Sequence, residues 1–192
     1  MGRFLLAALA LSLVATPAMA QDLSNDDRKR IMRWGREAAD RVVRERPPLI
    51  SSEARFMIES AIADTIKLVC GEELKFVVAE VDDATGLAAG FLVPLSKNAW
   101  EVGGWHRVMF DAATGEPKSI EPLSRGCLGF PKENRRRNRT QVELFFVSQI
   151  LEPHPTENHV ALSLWQSKDV LVVTEAGTWK VSNGRISFVS ER

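Results

Sequence analysis

The chain has 192 residues, with 25 Lys and Arg against 25 Asp and Glu, 45% apolar and 26% charged residues, and a mean hydropathy of −0.11. This is the composition of an ordinary globular protein of one domain or two small ones, and it excludes a mostly disordered or collagen-like chain. A formal net charge of zero also excludes the strong basic excess of a nucleic-acid protein.

Residues 1–20 read as a secretory signal peptide. Arg3 supplies the positive start, Phe4 to Val14 is apolar except for Ser12, and Ala18-Met19-Ala20 is a small-x-small cleavage site before Gln21. The run is shorter than the roughly 20 residues that span a bilayer. No later stretch is apolar enough to span one, so the sequence implies no transmembrane segment in the mature chain. The cleavage style points to bacterial export and a periplasmic address. Removing residues 1–20 removes one Arg and leaves 24 basic and 25 acidic residues.

Residues 21–50 carry an N-terminal amphipathic helix, over 24–46. Ser24 can cap it, Asp26 and Asp27 suit its positive end, and Ile31, Trp34, Ala38 and Val42 recur at helical spacing. Pro47-Pro48 ends it. A basic amphipathic helix either lies on a membrane or packs on the body of its own protein. The second helix is expected over 52–69, with Gly71 as its stop.

Strands follow at Leu74–Val81, Leu87–Val93, Trp100–Phe110 and roughly Lys118–Pro122. Asp83-Ala84-Thr85-Gly86 and Asp111-Ala112-Ala113-Thr114-Gly115 read as hairpin turns, because Asp bonds its own downstream backbone and Gly takes positive φ. Gly103-Gly104 suggests a bulge or a close backbone approach. Residues 123–139 are a polar connection. Thr140–Leu151 fits a helix, through Thr140-x-x-Glu143 and the Val142, Phe146, Ile150 spacing, although Val142, Leu144 and Phe146 also alternate as in a strand. Val160–Trp165, Val170–Val173, Thr178–Val181 and Ile186–Val189 read as a β-meander, with Ser182-Asn183-Gly184 as a type I′ turn.

The expected fold is α+β, with antiparallel sheets and helices packed on one face. The layout suggests two helix-plus-meander units, one over 51–130 and a smaller one over 131–192 packed on it. Cys70 and Cys127 are the only cysteines. In an oxidising compartment such a pair reads as a disulfide, worth roughly 4 kcal/mol by the chain-entropy estimate.

Trp100-Glu101-Val102 leading to Phe110-Asp111-Ala112-Ala113-Thr114-Gly115-Glu116 resembles the PepSY-like family of small exported domains. The resemblance covers about residues 52–122. It implies a helix followed by an antiparallel sheet, and a peptide-binding, inhibitory or sensory module in place of an enzyme. The turn at 83–86 and the Gly103-Gly104 break depart from the usual pattern.

Two features carry the binding expectation. Trp100, Trp105, Trp165 and Trp179 are placed in strands, where an exposed Trp is a frequent binding anchor. Trp100 and Trp105 differ in strand parity, so one faces away from the core unless Gly103-Gly104 is a bulge that resets the phase; the other reading is that all four Trp are buried. Arg107 lies on the same stretch. Lys132, Arg135, Arg136, Arg137 and Arg139 put five cations in eight residues, an anion site or a solvated loop. The expected binding residues are therefore Trp100, Trp105, Arg107, Arg135, Arg136, Arg137 and Arg139, and the expected partner is an envelope protein or peptide of anionic character.

His154, Glu157 and His159 lie within six residues, but the Pro-broken H-x4-H spacing is read as a polar turn and not as a metal site. No G-x-S-x-G, S-x-x-K or H-E-x-x-H motif is present, and no cofactor is expected. Glu80 and Asp82 are indistinguishable from solvated strand residues. The competing readings are a small envelope hydrolase, marked by His106 beside a carboxylate and a Ser, and a small-ligand carrier with an apolar cavity.

Overall fold

The computed structural model describes residues 23–44, 46–66, 70–132 and 144–191. Helix α1 spans Asn25–Val43, and the Ser24 hydroxyl caps it by accepting the Asp27 N–H at 3.0 Å. Its inner face is Ile31, Gly35, Ala38 and Ala39. Those small residues allow a close crossing: a Cβ on Gly35 would stand 2.7 Å from Val160 Cβ. Because this face is packed in the core, α1 is not free to lie on a membrane. Helix α2 spans Ser52–Thr65, is capped by Ser51, and buries Ala54, Ile58 and Ile62.

Strands β1 (Glu73–Asp82) and β2 (Leu87–Leu95) open the first sheet. The stretch read as one strand from Trp100 splits into β3 (Ala99–Glu101) and β4 (His106–Asp111), followed by β5 (Pro117–Pro122) and β6 (Gly129–Pro131). The first sheet is antiparallel in the order β1-β2-β4-β5, and β3 pairs with β6 in a separate ribbon. Alternate side chains take opposite faces. Val77, Ala79, Phe91 and Val93 pack with Ala38 and Ala39 of α1, while Phe76, Val78, Leu92, Val108 and Phe110 pack with Ile58 and Ile62 of α2. A sheet covered on both faces explains why β2 is buried continuously from Ala88 to Pro94.

The second sheet has the order β10-β9-β8-β7, from β7 (Leu144–Ser148), β8 (Asp169–Val173), β9 (Thr178–Ser182) and β10 (Arg185–Ser190). Its inner face, with Phe145, Val147, Val170, Val172, Trp179 and Val181, packs on Ile31 of α1 and on Val160 and Leu162. The fold is α+β, with mostly antiparallel sheets and helices packed against them.

Two sequence readings are corrected here. Thr140–Leu151 was expected to be helical; residues 144–148 form strand β7, and residues 140–143 lie outside the described residues. An edge strand that buries only Phe145 and Val147 leaves apolar Phe146 outside, and this mixture imitated helical spacing. Val160–Trp165 was expected to be a strand. It belongs to α3 (Glu157–Gln166), which forms the crossover between the parallel pair β7 and β8. Residues Glu157 to Ser163 are all buried, and a helix enclosed on every side shows no amphipathic period.

The two hairpin turns share a longer pattern than expected. The capping Asp is the last strand residue in each. Asp82 accepts from Ala84 N and Thr85 Oγ1, both at 2.9 Å, and Asp111 accepts from Ala113 N at 3.0 Å and Thr114 N at 2.8 Å. The repeat is therefore Asp-x-Ala-Thr-Gly.

Cys70 and Cys127 form a disulfide with Cα atoms 5.4 Å apart. It ties the end of the α2 segment to the connection between β5 and β6. Gly103-Gly104 is the close approach to it: Gly104 has φ +80°, and a Cβ there would stand 2.5 Å from Cys70 Sγ. No helix among the described residues is long and apolar enough to cross a membrane.

Candidate functional site

Trp100 and Trp105 lie on either side of the Gly103-Gly104 break, which interrupts the expected strand, and are buried to different degrees. Trp105 is fully enclosed, and its indole N–H donates to Glu101 O at 2.9 Å. Trp100 is half-buried. One face of its ring stacks on Trp165 at 4.9 Å with planes 20° apart, and Lys132 Nζ lies 4.5 Å from the ring centroid. Trp165 is held in turn by its N–H bond to Ala39 O at 3.2 Å and by Trp105 at 5.7 Å. Trp165 therefore sits on a helix and braces Trp100, while Trp179 is buried and bonds Thr174 Oγ1 at 3.2 Å.

This braced Trp100 forms one wall of a groove of about 350 Å³. The end of α1 contributes Val42 and Val43, the start of β1 contributes Glu72 and Glu73, and the β2 end contributes Ser96 and Lys97. Lys97 pairs loosely with Glu72 at 3.7 Å and is largely exposed. Lys132 Nζ also donates to Ser96 O at 2.6 Å, so its ammonium is fixed beside the ring. An aromatic face with cations and carboxylates around it, held by packing, can anchor a side chain or a peptide segment with little further ordering.

Arg107 has another role. Its Nη2 and Nε donate to Glu157 Oε2 and Oε1 at 2.9 and 3.2 Å, and Glu121 Oε2 stands 3.4 Å from its Nη1. Glu157 has no exposed surface. Burial pulls the guanidinium pKa down, and the charge and hydrogen bonds of Glu157 outweigh this and leave it raised. Arg107 thus stitches β4 to the start of α3. Arg135, Arg136, Arg137 and Arg139 lie outside the described residues.

The start of α3 builds a buried polar knot that the sequence did not announce. Thr156 N donates to His159 Nδ1 at 3.1 Å, Asn158 Nδ2 to Val102 O at 2.8 Å, and Gln149 Nε2 to Leu123 O at 3.1 Å. His159, Asn158 and Gln149 line a cavity of about 180 Å³ beside Cys127 and Ser148. Burial holds the His159 pKa down at about 4, so the ring is neutral at pH 7. Since Nδ1 accepts the Thr156 N–H, its proton sits on Nε2, and the ring offers a donor where a serine-activating base would need an acceptor. The only signal in the sequence was Thr156-x-x-His159, a capping box with His in the Glu/Gln place.

The remaining titratable candidates are occupied. His106 Nδ1 contacts Gly104 O at 3.1 Å and His154 Nδ1 contacts Pro155 O at 3.1 Å. Glu80 is held by Arg33 at 2.7 Å and by the Trp34 N–H. Among the described residues, no group of three His, Cys, Asp or Glu is placed to hold a metal ion. No family model, curated protein or solved structure matches the chain.

Proposed function

We propose that this chain is an exported, periplasmic binding protein that engages an envelope protein or peptide through the Trp100 groove and acts without catalysis. The observation that carries the reading is the bracing of Trp100 between Trp165 and Lys132 at the wall of a groove. A large aromatic face that remains half-exposed while its ring is already fixed is the arrangement of a binding anchor. The disulfide fits an oxidising compartment, and residues 1–20 supply the export signal. The helix α2 followed by antiparallel strands is the layout that the PepSY-like resemblance implies for a peptide-binding module.

The test uses the oxidised mature chain as crosslinked bait in a periplasmic extract, beside Trp100→Ala and Lys97→Glu variants. Lys97 is largely exposed, whereas Trp100 packs on the core and stacks on Trp165, so near-ultraviolet circular dichroism checks that the Trp100→Ala chain keeps its fold. A partner retained by the parent and lost by both variants supports the reading. A partner retained equally by all three overturns the groove as its site.

A further inference from the structure

On the far side of the α1 terminus lies a second groove, of about 550 Å³, within the range of small-molecule sites. Its outer wall is the connection from α1 to α2, with Arg46, Leu49 and Ile50. Its floor is the free edge of β1, which has a sheet neighbour on one side only. Arg41, Arg44, Arg55 and Lys75 complete the lining, so five cations face it and no carboxylate among the described residues lines it.

The charges are only partly answered from behind. Glu37 pairs with Arg41 at 2.7 Å, Asp40 serves both Arg44 at 3.1 Å and Arg46 at 2.5 Å, and Glu59 pairs with Arg55 at 2.9 Å. Lys75 Nζ donates to a carbonyl, Val42 O, at 3.0 Å. Glu45 lies outside the described residues; with its charge counted, cations still exceed carboxylates. The strand edge adds a neutral donor. Arg55 Nη2 reaches Phe76 O at 3.2 Å from the groove side. In an antiparallel strand the N–H and C=O of one residue point the same way, so the Phe76 N–H also faces the groove.

Apolar surface lies beside the charge. Leu49 in the connection is 43% exposed, and Pro48 and Ile50 line the groove with it. Cations and an N–H on one side, with aliphatic groups on the other, match a ligand that has an oxyanion head and an aliphatic tail.

We propose that this groove is a binding site for a single-chain anionic amphiphile, an alkyl phosphate or an equivalent oxyanion with an aliphatic tail. The head is held by Lys75, Arg46 and Arg55, and the tail lies along Leu49 and Ile50. The site is separate from the Trp100 groove and does not depend on the function proposed for it.

The test is isothermal titration of the oxidised chain with decyl phosphate below its micellar concentration. The variants are Arg44→Ser with Arg46→Ser, and Leu49→Ser. All three side chains are substantially exposed, and near-ultraviolet circular dichroism checks that the fold is kept. The expected result is one saturable site. The double Arg variant should weaken it about tenfold or more and Leu49→Ser about fivefold, with inorganic phosphate binding at least about tenfold more weakly than decyl phosphate. Binding unchanged in both variants overturns the proposal. So does inorganic phosphate binding as well as decyl phosphate, which would mark a bare anion site. Binding to anionic vesicles without binding of the monomeric amphiphile also overturns it, by marking a membrane-facing surface.

Discussion

Glu157 has no exposed surface, and the Arg107 fork 2.9 Å away is its ionic partner. Removing one partner of such a pair leaves an unpaired buried charge, which destabilises by about 3–5 kcal/mol. Arg107→Met should therefore lower stability by about that amount in denaturant unfolding, and adding Glu157→Leu should recover much of it. A single-variant loss below about 1 kcal/mol would mean that the pair is not a clamp. His159 gives a pH signature. Its folded pKa, near 4, lies below the ordinary value of 6.5, so the unfolded chain binds the proton more readily. Its contribution is fully present above about pH 6.5 and is lost as pH falls toward 4, by up to about 3 kcal/mol. His159→Gln should flatten the stability profile between pH 6.5 and 4; an unchanged slope would assign the acid sensitivity elsewhere. The sequence showed both residues but not their roles. Arg107 and Glu157 are 50 positions apart, and nothing local marks such a pair.

At the scale of elements, legibility followed burial. Helix α1 was readable because its capping Ser24, small inner residues and basic outer face all agree. The hairpins were readable because Asp and Gly act locally. Strand β7 and helix α3 were misread for complementary reasons. One is a half-exposed edge strand with Phe146 61% exposed, and the other is enclosed on all sides, so neither shows its own period. The disulfide was readable from count and compartment alone. Its tie from the end of the second helix to the Cys127 loop was readable too; its backing onto Gly104 and its place in the wall of the His159 cavity were not. Reduction should lower stability by about 2–4 kcal/mol, measured as a shift of the denaturant midpoint with and without reductant. Hydrogen exchange should rise first in residues 123–131. Unchanged exchange there would show that the β5–β6 connection is held without the bond.

For the whole molecule, α1 is the common support. It packs on β1 of one sheet and on α3, Trp179 and Val181 of the other layer system. Both grooves lie at its C-terminal end, so changes that fray α1 should affect both. The sequence placed a binding surface in the Trp100 region, and Trp100 stands at the wall of a groove. Trp105 and Arg107, expected to join it, serve the core and the α3 clamp because the Gly103-Gly104 turn redirects the chain between β3 and β4. Export predicts a secreted chain that begins at Gln21, and N-terminal sequencing of the periplasmic protein checks this; an intact Met1 would contradict it.

The role proposed for Trp100 and its groove is contact with a protein or peptide partner in the cell envelope. The most direct measurement places a photo-crosslinking residue at position 43, on the rim of the groove, and another at position 187 on the second sheet, in cells. A discrete crosslinked partner is expected from position 43 that disappears when Trp100→Ala is added, and none from 187. Crosslinks from 187 alone, or a partner at 43 that survives Trp100→Ala, would contradict this role for Trp100.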